Sequence, residues 1–321
     1  MSGTGTVGGP SACRSAGSGE EPSHWCAVVG SPVGHSLSPV LHQAAYQALG
    51  LSGWRYEALE TSAAEMPGLV RRLSSPVPAG AAVPVGLSVT MPHKQTLLPL
   101  LDAVDPLAEV VGAVNTVVAQ RAGRGEALLT GFNTDVAGIS QAFRRTATPP
   151  VAGARAVVLG AGATACSALA ALTELGATSL TVAARRLSGP GRVLAAAHRM
   201  GLELSTLTWL PGDPGQGDAL CAALAEADLV VSTLPAGTAD PLARQLEAGG
   251  SLRPGAVLLD VVYDPWPTAL ATTWQRRGGL VAPGWLMLLH QAVAQVGLMT
   301  GREAPVAEMD AALQAALARR G

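Results

Sequence analysis

Ala156-Val-Val-Leu159-Gly160-Ala-Gly162-Ala-Thr164-Ala165 reads as an apolar strand, a glycine turn and the start of an alanine-rich helix that Gly176 ends. That order aims the backbone N–H groups of a helix N-terminus at a pyrophosphate, so Gly160, Ala161, Gly162, Ala163 and Thr164 are candidate cofactor contacts. The next expected strand, residues 179–184, runs into Arg185-Arg186, and no Asp or Glu occurs between Glu174 and Glu203. An acid there would accept hydrogen bonds from an adenosine ribose, whereas arginine favours a 2′-phosphate. The pattern predicts a Rossmann-like unit that takes NADP(H), with Arg185 and Arg186 on the phosphate.

Downstream, residues 229–232, 256–261 and 279–281 read as further strands, and 284–300 and 304–319 as helices. Upstream the same alternation appears in a separate unit. Strands are expected at 25–30, 54–59 and 83–89, and helices from Ser38-Pro39 and over 63–73. A short helix is expected after Pro92. β-like pieces follow at 113–119 and 127–131, then a helix with Ile139 and Phe143 on one face and Thr134 as its cap. A Pro-rich link at 146–153 separates the two units. The expected fold is therefore α/β and two-domain: an N-terminal α/β domain with a mostly parallel sheet, a Rossmann-like domain, and a cleft between them.

The length of 321 residues suits two such units. Charged residues make up 14% and the net charge is −2, which gives no electrostatic footprint for nucleic acid or an anionic membrane. The expected partner is a small molecule. Cys13, Cys26, Cys166 and Cys221 lack the spacing of a zinc site and read as reduced thiols of a cytoplasmic protein. Residues 1–24 are rich in Gly and Ser, show no signal-peptide pattern, and are expected to form a disordered leader. The six histidines form no metal-ligating cluster, and no metal is expected.

Of 21 basic residues only one, Lys94, is a lysine. Arginine stays protonated at any working pH, whereas a lysine amine can be tuned to give and take a proton. Around it lie groups suited to a small polyhydroxylated acid. Gly34-His-Ser36-Leu-Ser38-Pro places two hydroxyls beside a helix start, where both can reach one carboxylate. Thr90 and Lys94 flank a proline turn, and Asn115 and Asp135 each sit in a polar break between apolar segments. Tyr263 directly follows an apolar strand, the end at which an open α/β sheet binds ligands.

Taken in order, several motifs closely resemble those of the shikimate dehydrogenase family. They are Gly34-His-Ser-Leu-Ser-Pro39, Ser88-Val-Thr-Met-Pro-His-Lys94, Gly112-Ala-Val-Asn-Thr116, Gly131-Phe-Asn-Thr-Asp135, the loop at 160–164, Asp260-Val-Val-Tyr263-Asp-Pro265-Trp-Pro-Thr268 and Met287-Leu-Leu-His-Gln291-Ala. The resemblance spans residues 26 to about 315. It implies reversible, NADP-dependent reduction of 3-dehydroshikimate to shikimate. Ser36 and Ser38 would bind the substrate carboxylate, Thr90, Asn115, Tyr263 and Gln291 would hold hydroxyls or the carboxylate, and Lys94 and Asp135 would form the catalytic pair. Gly284 would be a further cofactor contact. The implied division is residues 25–134 as substrate domain, completed by helices at 284–321, and 135–283 as NADP domain, in a monomer or homodimer.

Two departures stand out. Ser88 occupies a place where the family usually has Asn, which points to an altered loop support. Ala184-Arg185-Arg186 replaces a more usual Asn-Arg-Thr, which leaves NADP selectivity resting on arginine charge. His93 and His290 are alternative proton relays, and Trp285 either stacks on nicotinamide or packs between domains. The competing readings are a quinate or dual quinate/shikimate dehydrogenase using NAD, and a non-catalytic sensor of shikimate-type acids, which would be expected to have lost Lys94 or Asp135.

Overall fold

The computed structural model describes residues 23–147, 153–189, 191–211, 213–249 and 251–320. Residues 1–22 of the expected leader and 148–152 of the expected link lie outside the described residues. His24, assigned to the leader from sequence, instead opens the first strand.

The N-terminal elements run β1 (His24–Gly30), α1 (Ser38–Ala48), β2 (Trp54–Glu60), α2 (Met66–Ser74), β3 (Val83–Val89), β4 (Ala103–Val104), α3 (Pro106–Val111), β5 (Thr116–Arg121) and β6 (Ala127–Phe132). They build a six-stranded sheet in the order β2-β1-β3-β5-β6-β4. β1 pairs in parallel with β2 and β3, and β4 with β6, while β3–β5 and β5–β6 are antiparallel. Alternate residues of β1 face opposite ways. Ala27 and Val29 pack with Met66, Leu69, Val70 and Leu73 of α2, and Cys26 and Val28 pack with Tyr46 and Tyr56. A strand covered on both faces reads as a continuous apolar run, as residues 25–30 do.

Next come α4 (Asp135–Thr146), β7 (Ala154–Leu159), α5 (Ala163–Glu174), β8 (Ala177–Ala184), α6 (Val193–Met200), β9 (Ser205–Thr208), α7 (Pro214–Ala225), β10 (Leu229–Ser232), α8 (Asp240–Ala248), β11 (Val257–Asp260), α9 (Ala269–Arg276) and β12 (Leu280–Pro283). The second sheet is wholly parallel, in the order β12-β11-β10-β7-β8-β9. With β7 as the first strand this is the doubly wound Rossmann order, and its switch point lies between β7 and β10. Ala156 and Val158 join the core under α5 and α6, and Val157 and Leu159 join the core under α7, α8 and α9.

The chain closes with α10 (Gly284–Thr300) and α11 (Val306–Ala318), whose Leu289, Ala292, Val296, Met309 and Leu313 pack on Leu37, Leu41 and Ala45 at α1. The last two helices thus return to the first sheet. Among the described residues no helix is long and apolar enough to cross a membrane.

Two local expectations are corrected. The short helix after Pro92 is a run of turns ending in a 3-10 turn at Leu98–Leu100. Thr134 sits at the N-cap of α4, yet its side chain does not cap the helix. Its hydroxyl is bonded to the Asn115 amide, and Asn133 Oδ1 accepts from Val136 N instead, at 3.3 Å.

Candidate active site

The carboxyl ends of β1, β3 and β11 and the first turns of α4 and α10 enclose a cavity of about 330 Å³. Its lining includes all eight residues assigned from sequence to catalysis and substrate binding: Ser36, Ser38, Thr90, Lys94, Asn115, Asp135, Tyr263 and Gln291. Of the expected cofactor contacts, Thr164 and Gly284 also line it.

Backbone hydrogen bonds between loops hold these groups together. Thr90 N donates to Val29 O at 2.9 Å, Val114 N to Lys94 O at 2.7 Å, and Asn115 N to Phe132 O at 3.0 Å. The stretch from Thr90 to Lys94 is therefore pinned to β1 on one side and to the Asn115 turn on the other. Lys94 Nζ donates to Asp135 Oδ2 at 2.5 Å, with side chains 13% and 4% exposed. Asn115 Nδ2 donates to the other oxygen, Asp135 Oδ1, at 2.9 Å. Asp135 also occupies the first turn of α4, where the helix dipole favours a carboxylate. The arrangement is a shielded ammonium–carboxylate pair, one oxygen of which is fixed by a neutral amide.

Around the pair, Ser38 N donates to Ser36 Oγ at 3.2 Å, which sets the two hydroxyls on one short turn. Burial pushes the Tyr263 phenol above its usual range, so it stays protonated and available as a donor. Gln291 uses one amide hydrogen on Leu288 O, at 2.8 Å, and its amide is otherwise directed to the cavity. The two alternative proton relays are placed elsewhere. His93 is buried and its Nε2 donates to Thr61 O at 2.6 Å, which makes it a tie between loops. His290 is absent from the cavity lining. Trp285 packs edge-on to Trp266 with ring centroids 5.1 Å apart.

The turn of Gly160, Ala161, Gly162, Ala163 and Thr164, where the sequence places the dinucleotide, lies at the switch point. Gly160 has φ +110°, a conformation that a side chain would strain. Gly162 is the N-cap of α5 and supplies no side-chain cap, so the first N–H groups of the helix are not taken up by a capping side chain. A Cβ on Gly162 would meet nothing within 4 Å, which leaves room above the turn for a phosphate. Arg185 and Arg186 follow β8, are exposed, and form no ion pair among the described residues. A Cβ on Gly284 would lie 2.5 Å from Val261 O, so only glycine lets α10 start against the end of β11. These residues fit an NADP-type dinucleotide.

Comparison with known proteins agrees with this geometry. Residues 28–117 match the family model for the shikimate dehydrogenase substrate binding domain, and residues 284–314 that for the shikimate 5′-dehydrogenase C-terminal domain. The chain is 37% identical to shikimate dehydrogenase (NADP(+)) of Moorella thermoacetica, covering 91% of this chain and 92% of that protein. The chain belongs to the shikimate dehydrogenase family. Among solved structures of the family, the Mycobacterium tuberculosis shikimate dehydrogenase is 40% identical with a TM-score of 0.74, over 91% of this chain and 99% of that one. A Thermus thermophilus shikimate 5-dehydrogenase, solved in complex with NADP(H) and shikimate, is 32% identical with a TM-score of 0.70, over 91% and 99% of the two chains.

Sequence reasoning missed the polar layer beneath the cavity. Tyr56 Oη donates to Ser88 Oγ at 2.6 Å, and Ser88 Oγ donates to Gln295 Oε1 at 2.7 Å. The one available signal was spacing: Gln295 lies one helical turn after Gln291 and so shares its face of α10.

Proposed function

We propose that the chain catalyses the NADP-dependent, reversible reduction of 3-dehydroshikimate to shikimate. The observation that carries this is the Lys94–Asp135 pair at 2.5 Å inside a cavity lined by Ser36, Ser38, Thr90, Asn115, Tyr263 and Gln291. Ser36 and Ser38 would take the substrate carboxylate. Thr90, Asn115, Tyr263 and Gln291 would take ring hydroxyls or the carboxylate. Gly160 to Thr164, Gly284, Arg185 and Arg186 would hold the dinucleotide, with both arginines on its 2′-phosphate.

When bound, NADPH supplies the hydride for reduction. Negative charge then builds on the carbonyl oxygen of the substrate. The Lys94 ammonium stabilises that charge and donates the proton that makes the hydroxyl, and Asp135 orients the amine and offsets its charge. In the oxidative direction the neutral amine of Lys94 accepts the hydroxyl proton. Residues 25–134 with the C-terminal helices would form the substrate domain and 135–283 the NADP domain of a cytoplasmic monomer or homodimer.

The test is initial-rate absorbance at 340 nm with shikimate or quinate and NADP or NAD, in all four combinations. Rapid reduction of NADP with shikimate is expected. A preference for quinate with NAD, or no turnover with any pair, would overturn the reading.

A further inference from the structure

Gln291 and Gln295 lie one turn apart on α10, and both border the cavity, yet their amides are used in opposite ways. A glutamine amide accepts two hydrogen bonds and donates two. Gln295 makes all four within the protein. Its Oε1 accepts from Ser88 Oγ at 2.7 Å and from His42 Nε2 at 3.3 Å. Its Nε2 donates to Thr116 Oγ1 at 2.9 Å and to Asn115 O at 3.1 Å. Since Asn115 O can only accept, the orientation of the amide is fixed. With the residue 1% exposed and its amide's capacity filled, Gln295 has nothing left to offer a ligand.

What the amide does instead is set the polarity of a chain of hydrogen bonds that ends on the Asp135 carboxylate. Burial keeps the Tyr56 phenol protonated, and it donates to Ser88, which donates to Gln295. Gln295 fills a lone pair of Thr116 Oγ1, and that hydroxyl donates to Asn115 Oδ1 at 2.9 Å. Thr134 N donates to the same oxygen at 2.7 Å. With its oxygen turned that way, Asn115 presents Nδ2 to Asp135 Oδ1. Every member is buried, so each bond is shielded from water and costly to leave unmade.

We infer that Gln295, with Thr116, is a positioning residue for the reaction: it fixes the rotamer of Asn115, and through Asn115 the Asp135 carboxylate that faces Lys94. This rests on the activity proposed above. Ser88 belongs to the same device, because its short hydroxyl spans the distance from Tyr56 to Gln295.

The test uses the purified full chain with shikimate and NADP. Gln295→Leu and Thr116→Val are expected to lower kcat by about 10- to 100-fold, the usual scale for a displaced catalytic group, while the KM for NADP stays unchanged. Thr116→Ser, which keeps the hydroxyl, should restore most of the rate lost in Thr116→Val. In a double-mutant cycle, adding Gln295→Leu to Asn115→Ala should cost little beyond Asn115→Ala alone, because the action of Gln295 passes through that amide. A merely structural Gln295 would lower thermal stability and leave kcat per folded molecule intact, or its loss would multiply with that of Asn115→Ala; either result overturns the inference. If Gln295→Leu does not fold, the Thr116 pair decides, and equal rates in the Val and Ser variants overturn it. An active wild type with unaffected variants sinks this inference alone, whereas an inactive wild type sinks the activity reading and the inference with it.

Discussion

Lys94 Nζ lies 2.5 Å from Asp135 Oδ2, although the two are 41 positions apart in the sequence. The contact exists because Val114 N bonds Lys94 O while Asn115 N bonds Phe132 O, so the lysine turn and the start of α4 are both tied to the Asn115 loop. An arginine could preserve charge on this spot but could not release a proton at working pH. Lys94→Arg should therefore keep shikimate affinity within a few-fold and lower kcat by about 100-fold or more. Initial rates together with a calorimetric titration of shikimate separate the two effects. Near-normal turnover would remove Lys94 from acid–base chemistry.

Under the proposed activity, cofactor choice would depend on Arg185 and Arg186, which are exposed and follow a strand with no carboxylate in the stretch between Glu174 and Glu203. Replacing both by serine should raise the KM for NADP by about tenfold, the equivalent of about 1.4 kcal/mol, and leave the rate with NAD little changed. Paired kinetics with the two dinucleotides measure this. An equal loss with both cofactors would place the arginines away from the 2′-phosphate.

Gly138 controls how α4 sits on α10. A Cβ there would lie 2.8 Å from Met287 O and 3.0 Å from Gln291 Cβ. Gly138→Ala should push α4, which carries Asp135, away from the helix that carries Gln291. The expected cost is about 1 to 3 kcal/mol of stability, with a raised KM for shikimate. Urea unfolding and steady-state kinetics check the two halves, and an alanine variant as stable as the parent would show that the helices part without strain.

These predictions separate what was legible in the chain from what was not. The glycine loop at 160–164 and the Ser36-Leu-Ser38 turn were readable because a local conformation dictates their residue types. β4, α3, α6, β9, α7, α8 and α9 were not anticipated. Several are short, and α7 opens on Pro214-Gly-Gln-Gly217, which reads as a turn until its Asp213 cap is seen accepting from Gln216 N. The eight cavity residues emerged from motif order, and seven of them lie near a strand end or a helix start, whereas Gln291 sits in the middle of α10. The layer below them did not. Tyr56, Ser88, Thr116 and Gln295 come from four elements, and only tertiary packing brings their hydroxyls and amide into one chain of bonds. Thr134 illustrates the same point, because its hydroxyl leaves the helix-capping role that local sequence suggests in order to join Asn115.

His42 gives this buried layer a pH dependence. It is fully buried against Tyr56, with rings 4.0 Å apart, and burial pulls its pKa down from 6.5 to about 4. Its Nε2 hydrogen points to Gln295 Oε1, and Nδ1 has no partner among the described residues. Because the folded pKa is the lower one, the unfolded chain binds this proton first as pH falls. The stability tied to neutral His42 is thus complete above pH 6.5 and is lost as pH drops from 6.5 through about 4. A shift of that size corresponds to about 3 kcal/mol in total. His24 and His290 are also shifted downward and contribute in the same direction, so the useful quantity is a difference between variants. His42→Gln does not titrate in this range and can still donate an N–H. Urea midpoints measured from pH 7 to pH 4 should fall less steeply for His42→Gln than for the parent, and parallel curves would show that His42 is already free to take up its proton in the folded protein.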